Sequence, residues 1–563
     1  MRKRHCVAVS LLLLYSIALG LFATHLNKLF YSNYGPFFDS IGYLSSLARI
    51  IHTGETSGVI DAVRRAATVS TVFLPFGLTA ILSPLLPFSR AVGIWLQIPF
   101  VFLLLLSVWT YFRVRLGAGP VLAVFLALPC AATSAIFFYN GGISDFRMDL
   151  YLYLLAGSAS IWLLIALHRG KRSDWLICGI CCALASLSRA TAIIYLVVIF
   201  MPLLSAHFFL DPKKRRNIAG GVVLICLTWI ALALWFYVLK YDHLKYYYFV
   251  WNADANAKLP LSSSINHFRF AFDSVGAPLV VAGLIVGIGN SLYSMLTQGH
   301  HKNCSPGSRV EIAWLAIAPA GMLALRGAGL NPFVSMPSTL GIVLFFLVLP
   351  GTWTNVSGIR ATATAALLLA SCLVSAKFGL DEHRSPANFC YFSKPYETIL
   401  QTIRENDKRA SLRINMIGSA NVVPASFRSF LIYDAGFRFT SNGFLTDTKR
   451  KFQIRVGNVR GTSTATLVEW TRLPGTTDQE KVQILVDSLV NCTDILLLPS
   501  AQTAEYWKQN LSFNYINRHA PLLREELLKV GSWSTLAEKL KFSDHEEYSL
   551  LLNLRAYDPT AVR

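Results

Sequence analysis

The sequence predicts a mainly α fold: a polytopic helical membrane domain of about eleven spans, followed by an extracytoplasmic α/β domain. Three observations predict it. Apolar residues make up 54% of the 563-residue chain and charged residues only 15%, where soluble domains carry roughly 25% charged residues. Apolar runs recur that reach the ~20 residues a helix needs to cross a hydrocarbon core. Composition then changes near residue 380. Of 51 Lys/Arg and 31 Asp/Glu, residues 380–563 hold 23 and 20, leaving 28 and 11 for residues 1–379. Most of the formal charge of +20 therefore sits in the membrane part, where Lys and Arg flank spans on the cytoplasmic side. This distribution argues against nucleic acid as a partner.

The expected domains are 1–379, a transmembrane domain with an outer loop at 27–68, and 380–563, the extracytoplasmic domain. Span 1, about 7–26, follows MRKRH, which sets the N-terminus in the cytoplasm. No small-residue cleavage site follows it, so it reads as a signal anchor. The loop 27–68 then faces out. Residues 69–88 are apolar but carry Pro75, Pro84 and Pro87, which interrupt a helix. A re-entrant or interfacial helix is predicted there. Residues 91–112 then run from outside to inside, ending at YFRVR, and every later basic cluster falls inside. Spans follow at 119–139 and 150–167, then a hairpin at 175–209 turning near Arg189. The remaining ones are 218–239, 276–296, 311–325, 333–350 and 361–379, which place the C-terminus outside.

After residue 380, LRINMIGSA, FLIYDAG and DILLLPS are short apolar runs bounded by turn residues, as strands are. Residues 501–542 have helical spacing, and YSLLLNLRAY reads as a last strand. This part shows no Gly-rich phosphate loop, no metal-ligand cluster and no nucleophile elbow. It is expected to contact a substrate or to cover a site at the outer face. The ten Cys are scattered. Cys178, Cys181 and Cys182 read as small core residues. Cys390 and Cys492 can pair if their region is extracytoplasmic, which the sequence leaves open.

The acidic residues sort by side. Of the eleven before residue 380, only Asp174, Asp211 and Glu311 face in; Asp39, Glu55, Asp61, Asp145, Asp149, Asp242, Asp254 and Asp273 fall at the outer face. Carboxylates beside hydrocarbon are costly and mark function, so the chemistry is expected outside. Asp39 lies in DSIGY, one helical turn from Tyr43. A carboxylate there can accept a proton from an acceptor hydroxyl, or simply cap a helix. Asp145, Arg147 and Asp149 occur in GGISDFRMDLYLYLL, the two acids four apart. They either favour a helix N-terminus or position sugar hydroxyls and hold a divalent cation, the one cofactor considered. Arg189, in ASLSRATAII, either snorkels to the interface or pairs its guanidinium with a phosphate. The loop from Lys240 to Asp273 mixes aromatics with Lys258 and His267. That suits an interfacial belt, or a sugar and lipid phosphate with His267 as a third metal ligand.

Together these segments resemble the polyprenyl-phosphate-sugar-dependent membrane glycosyltransferases of the GT-C type, nearest to the group of protein O-mannosyltransferases and lipid A aminoarabinose transferases. The resemblance covers about residues 1–350. Its parts are DSIGY at 39–43, like that family's first-loop D-E-x-x-Y; SDFRMDLYLYLLAG; WLICGICCALASLSRATAII; and LRGAGLNPFVSMP at 325–337, with Asn331 before a Pro. It implies Asp39 as the catalytic carboxylate and Arg189 as the contact to the donor phosphate. Asp149, Arg147, Tyr43, Lys258 and Asn331 join the donor phosphate and sugar site. The family often has a second acid after the first; here it is Ser40, which bears on any metal held by an acidic pair.

The expected activity is hexosyl or pentosyl transfer from a polyprenyl-phosphate-linked sugar to a hydroxyl of a glycan, lipid or protein acceptor. It would take place at the outer face of the cytoplasmic membrane, among membrane lipid, with inversion. The rival is a transporter or lipid flippase. It needs charges paired between central spans and favours internal repeats; acids are gathered at one face here and no repeat is visible.

Overall fold

The computed structural model describes residues 2–245 with short breaks at 35–38, 70–71, 116 and 139–141. It also describes isolated positions between 311 and 383, and 392–554 with breaks of which 459–476 and 506–519 are the longest. The spans expected after residue 275 lie outside the described residues apart from those isolated positions. The chain divides into two compact units: residues 1–27, 53–86 and 91–385 in one, and residues 28–52, 87–90 and 386–563 in the other.

The first unit is helical. Among the described residues, five helices are long and apolar enough to cross a membrane: Arg4–Tyr31, Ala91–Arg115, Met148–Arg169, Ala192–Leu210 and Pro212–Leu239. They fall where hydropathy predicts spans. In chain order the elements are α1 (Arg2–Tyr31), α2 (Asp39–Ser57), α3 (Val59–Val69), α4 (Leu74–Leu82), α5 (Ala91–Trp95), α6 (Ile98–Arg115), α7 (Pro120–Ala127) and α8 (Ser134–Phe137). Then come α9 (Met148–Arg169), α10 (Arg172–Ser188), α11 (Ala192–Leu210), α12 (Arg215–Trp229), α13 (Trp235–Leu239) and α14 (Tyr241–Lys245). A π-helical turn at Ile230–Leu234 joins α12 to α13.

The prolines act as expected over 69–88. Pro75 opens α4 in its first turn, and the helix runs only 9 residues, too short to span. The span expected at 119–139 is corrected. The apolar helix there covers Pro120–Ala131 only, about 18 Å at 1.5 Å per residue. The chain tightens into a 3-10 turn around Pro129 and leaves the helix at Ala132, because a proline removes a backbone donor and ends the ladder.

Helix α9 is the hub. It is buried along nearly its whole length and packs against α6, α10 and α11. It ends at Gly170, whose φ of 70° is left-handed and whose N–H bonds Ala166 O, the usual role of glycine after a helix.

The second unit is a seven-stranded sheet of order β2-β3-β4-β1-β5-β7-β6. Its elements are α15 (Lys394–Asn406), β1 (Ser411–Met416), α16 (Val422–Tyr433), β2 (Phe437–Phe439), β3 (Leu445–Asp447) and β4 (Phe452–Asn458). They continue with α17 (Asp478–Cys492), β5 (Ile495–Pro499), α18 (Ala520–Lys529), β6 (Trp533–Lys541) and β7 (Glu547–Asn553). Strands β4, β1 and β5 are parallel; β2-β3-β4 and β5-β7-β6 pair antiparallel. One apolar core joins α15 and α16 to the sheet, and another joins α17 and α18 to it. The sheet is therefore covered on both faces, which is why β5 is buried at all five positions.

Two sequence expectations change here. FLIYDAG is not a strand but the end of α16, whose Phe427, Phe430 and Leu431 recur at helical spacing and are buried. Residues 533–541, expected helical, form β6 on β7. Short apolar runs satisfy either period, and the sheet decides.

The segment around α2 also differs in its allegiance. Residues 28–52, expected with the membrane part, belong to the α/β unit. Leu44, Leu47, Ala48 and Ile51 are buried along one stripe of α2. Ala48 lies in the same core as Ile414, Phe427 and Ile454. An amphipathic stripe announces burial but not its partner.

Helix α17 starts with a reciprocal cap: Glu480 N–H donates to Thr477 Oγ1 at 3.2 Å, and Thr477 N–H to Glu480 Oε2 at 3.1 Å. Thr477→Ala is expected to cost about 1 kcal/mol, read as a lower denaturation midpoint of the purified chain.

Candidate active site

The strongest polar constellation in the helical unit forms where three elements meet: the segment before α9, the first turn of α9, and the turn between α10 and α11. Residues 142–147 run as a buried non-helical stretch. Ile143 N–H donates to Ile136 O at 2.7 Å and Asp145 N–H to Gly142 O at 3.1 Å. A Cβ on Gly142 would lie 2.3 Å from Phe138 O and 2.5 Å from Ile136 O, so only glycine fits this turn. Two side-chain amides satisfy carbonyls of the stretch. Asn27 Nδ2 donates to Ser144 O at 2.7 Å and Gln97 Nε2 to Asp145 O at 2.9 Å. The Ser144 hydroxyl and His383 Nε2 are 2.7 Å apart and buried. Fixing this backbone fixes Arg147, the extended residue that precedes α9 (φ −122°, ψ 153°).

Asp149, in the first turn of α9, lies between two guanidiniums. Arg189 Nη1 donates to its Oδ1, and Arg147 Nε is 3.3 Å from its Oδ2. Oδ2 itself accepts no hydrogen bond of good geometry. Arg189 is held by the turn that carries it. Its N–H bonds Ala185 O at 3.0 Å, and Ala192 N–H bonds Arg189 O at 2.9 Å. Tyr237 Oη donates to Ser186 O at 3.1 Å and Ala190 O at 3.3 Å, and Trp229 Nε1 to Ser186 Oγ at 3.0 Å.

Chemically the three side chains carry two positive charges and one negative, almost out of water. Exposure separates their roles. The Arg189 side chain is 22% exposed, Arg147 3% and Asp149 1%. Arg189 is the most exposed of the three, and Asp149 contacts it and Arg147 from the interior. A guanidinium held in this way can pair its N–H groups with a phosphate.

The structure thus brings together Asp149, Arg147 and Arg189, and Arg189 pairs rather than snorkels. Asp145 is buried two residues before Arg147. Asp39 opens α2, and the half-buried Tyr43 lies one turn on; both belong to the second unit. Lys258, His267 and Asn331 lie outside the described residues, as does any pairing of Cys390 with Cys492. Among the described residues no group of three or more His, Cys, Asp or Glu side chains gathers as metal ligands. Asp149, flanked by two guanidiniums, does not suit a dication. The supporting residues Asn27, Gln97, Trp229 and Tyr237 were not singled out from the sequence. Gln97 carried a signal, being an amide within an apolar run.

Compared with known proteins, the sequence matches no family model and no curated protein. The fold does match solved structures. ArnT from Cupriavidus metallidurans, solved bound to undecaprenyl phosphate, is 10% identical with a TM-score of 0.55, over 98% of this chain and 99% of that one. The arabinofuranosyltransferase AftD from Mycobacteria is 12% identical with a TM-score of 0.50, over 99% of this chain. This chain spans 40% of the length of AftD. The Archaeoglobus fulgidus oligosaccharyltransferase, in its apo form, is 13% identical with a TM-score of 0.52, over 92% of this chain and 72% of that one. These are GT-C glycosyltransferases, and the chain shares their fold.

Asp149→Asn removes the buried carboxylate that Arg147 and Arg189 share. Breaking such a group costs about 3–5 kcal/mol. A clear fall in melting temperature of the detergent-solubilised protein is expected, and none is expected for Asp61→Asn at an exposed pair.

Proposed function

We propose that this protein is a membrane glycosyltransferase. It moves a sugar from a polyprenyl-phosphate donor to a hydroxyl of a glycan, lipid or protein acceptor at the outer face of the cytoplasmic membrane. The observation that carries the reading is the Arg147–Asp149–Arg189 group, which sets a part-exposed guanidinium among apolar helices. A lipid that lies among such helices and ends in a phosphate can meet that guanidinium with paired hydrogen bonds. The shared fold with ArnT, solved with undecaprenyl phosphate, supports the same donor class.

In this reading the acceptor oxygen attacks the anomeric carbon while the bond from that carbon to the phosphate oxygen breaks. The electron pair leaves with the lipid phosphate, whose growing charge Arg189 stabilises. Asp39 takes the acceptor proton. A single displacement inverts the anomeric centre. Asp149 Oδ2 accepts a sugar hydroxyl, and Tyr43, Lys258 and Asn331 complete the donor and sugar contacts.

The test is transfer from a polyprenyl-phosphate sugar in membranes carrying the chain. Asp39→Asn is expected to lower turnover by about 10²-fold or more; near-wild-type turnover removes Asp39 from the role. Arg189→Ala is expected to lower kcat by about 10²-fold, with Arg189→Lys recovering part of it. Movement of a lipid or solute with no covalent product would establish the transporter reading instead.

A further inference from the structure

The α/β unit holds the helix that begins at Asp39 by an unusual ladder of side chains. Arg90 donates through both terminal nitrogens to Asp434, Nη1 to Oδ1 and Nη2 to Oδ2, each at 2.6 Å. The Arg90 guanidinium lies 4.3 Å from the Tyr31 ring and 5.2 Å from the Tyr433 ring. Tyr433 stacks on Phe88 at 5.8 Å, and the Arg438 guanidinium lies 3.9 Å from the Phe88 ring. Contacts thus link Tyr31 to Arg90, Arg90 to Tyr433, Tyr433 to Phe88 and Phe88 to Arg438. Each cation–ring contact gains when water is excluded, and the Arg–carboxylate fork fixes orientation as well as charge.

This ladder reaches α2 directly. Tyr433 Oη donates to Leu44 O at 2.8 Å, five residues after Asp39. Burial raises the Tyr433 phenol well above the ordinary tyrosine value, so it remains the donor at any physiological pH. Ala48, one turn further along α2, is buried in the core shared by sheet and α16. Arg49 lies over Phe439 of β2 at 5.6 Å. The first half of α2 is therefore gripped at successive turns by elements of the α/β unit that follow residue 390. Rigid neighbours of this kind set a side chain's place to the fraction of an ångström that catalysis demands.

We propose that Arg90, Tyr433 and Asp434 are positioning residues for sugar transfer. In this view the α/β unit is a jig that fixes the helix bearing Asp39, rather than only a cover or an acceptor platform. The proposal rests on the reading of Asp39 as proton acceptor. Positioning predicts a loss in the chemical step without a loss in donor binding.

The experiment uses the full chain in membranes or detergent. Asp434→Ala is expected to lower kcat at least tenfold with the KM for the polyprenyl-phosphate sugar unchanged, and to speed amide hydrogen exchange in residues 40–52. Arg90→Asp alone is expected to behave likewise. The double variant Arg90→Asp with Asp434→Arg restores the fork in reverse and is expected to recover both kcat and exchange protection in part. Unchanged kcat in Asp434→Ala, or unchanged exchange in residues 40–52, overturns the proposal. So does a KM that rises while kcat holds, since that assigns the ladder to binding. If Asp434→Ala does not fold, Tyr433→Phe, which deletes only the bond to Leu44 O, decides by the same two readouts. A wild-type chain that transfers no sugar overturns the catalytic reading, and exchange in residues 40–52 still reports separately whether the ladder orders α2.

Discussion

A carboxylate shared by two guanidiniums in a nearly dry setting is the constraint on which the helical unit turns. Each ion alone would cost several kcal/mol to bury, so Asp149 and its two partners must arrive together. That requirement binds the first turn of α9 to the turn after α10, two points forty residues apart in sequence. It also explains the effort spent on the backbone around them. Asn27 and Gln97 satisfy carbonyls that would otherwise be stranded beside Arg147, and Tyr237 and Trp229 brace the turn that carries Arg189. A charged group that water cannot relax is only as well placed as its neighbours make it.

The two units divide the work in a way their compositions suggest. The helical one combines apolar length with a few expensive charges. The α/β one has a sheet covered on both faces and two apolar cores, and it takes in residues 28–52 with the first part of α2. Asp39 is therefore carried by the α/β unit, although its position in the sequence lies between two apolar helices.

Much of this was legible in the sequence, for identifiable reasons. Long apolar runs have one solution in a bilayer, so α1, α9 and α11 fall where hydropathy puts them. The prolines at 75, 84 and 87 mark a run that does not span. Arg189 stood out because an arginine in an apolar stretch demands an explanation, and Asp149 supplied it. What stayed hidden depended on contacts between distant segments. FLIYDAG carries no period long enough to tell helix from strand, and only the sheet makes it part of α16. The stripe Leu44–Leu47–Ile51 foretells burial without saying against what. The amides Asn27 and Gln97 matter through the carbonyls they meet, and those carbonyls belong to residues more than 40 positions away.

The π-helical turn at Ile230–Leu234 has a geometric consequence. One surplus residue in a helix rotates everything beyond it by about 100°. That phase shift is what aims the hydroxyl of Tyr237 at the carbonyls of Ser186 and Ala190. Excising a single residue from this widened turn would wind the helix back to regular pitch and swing the phenol off its mark, while hydrophobic length stayed almost constant. The bracing of the arginine turn is in that sense encoded as a counting error, kept where an extra residue does more than a better-matched one could.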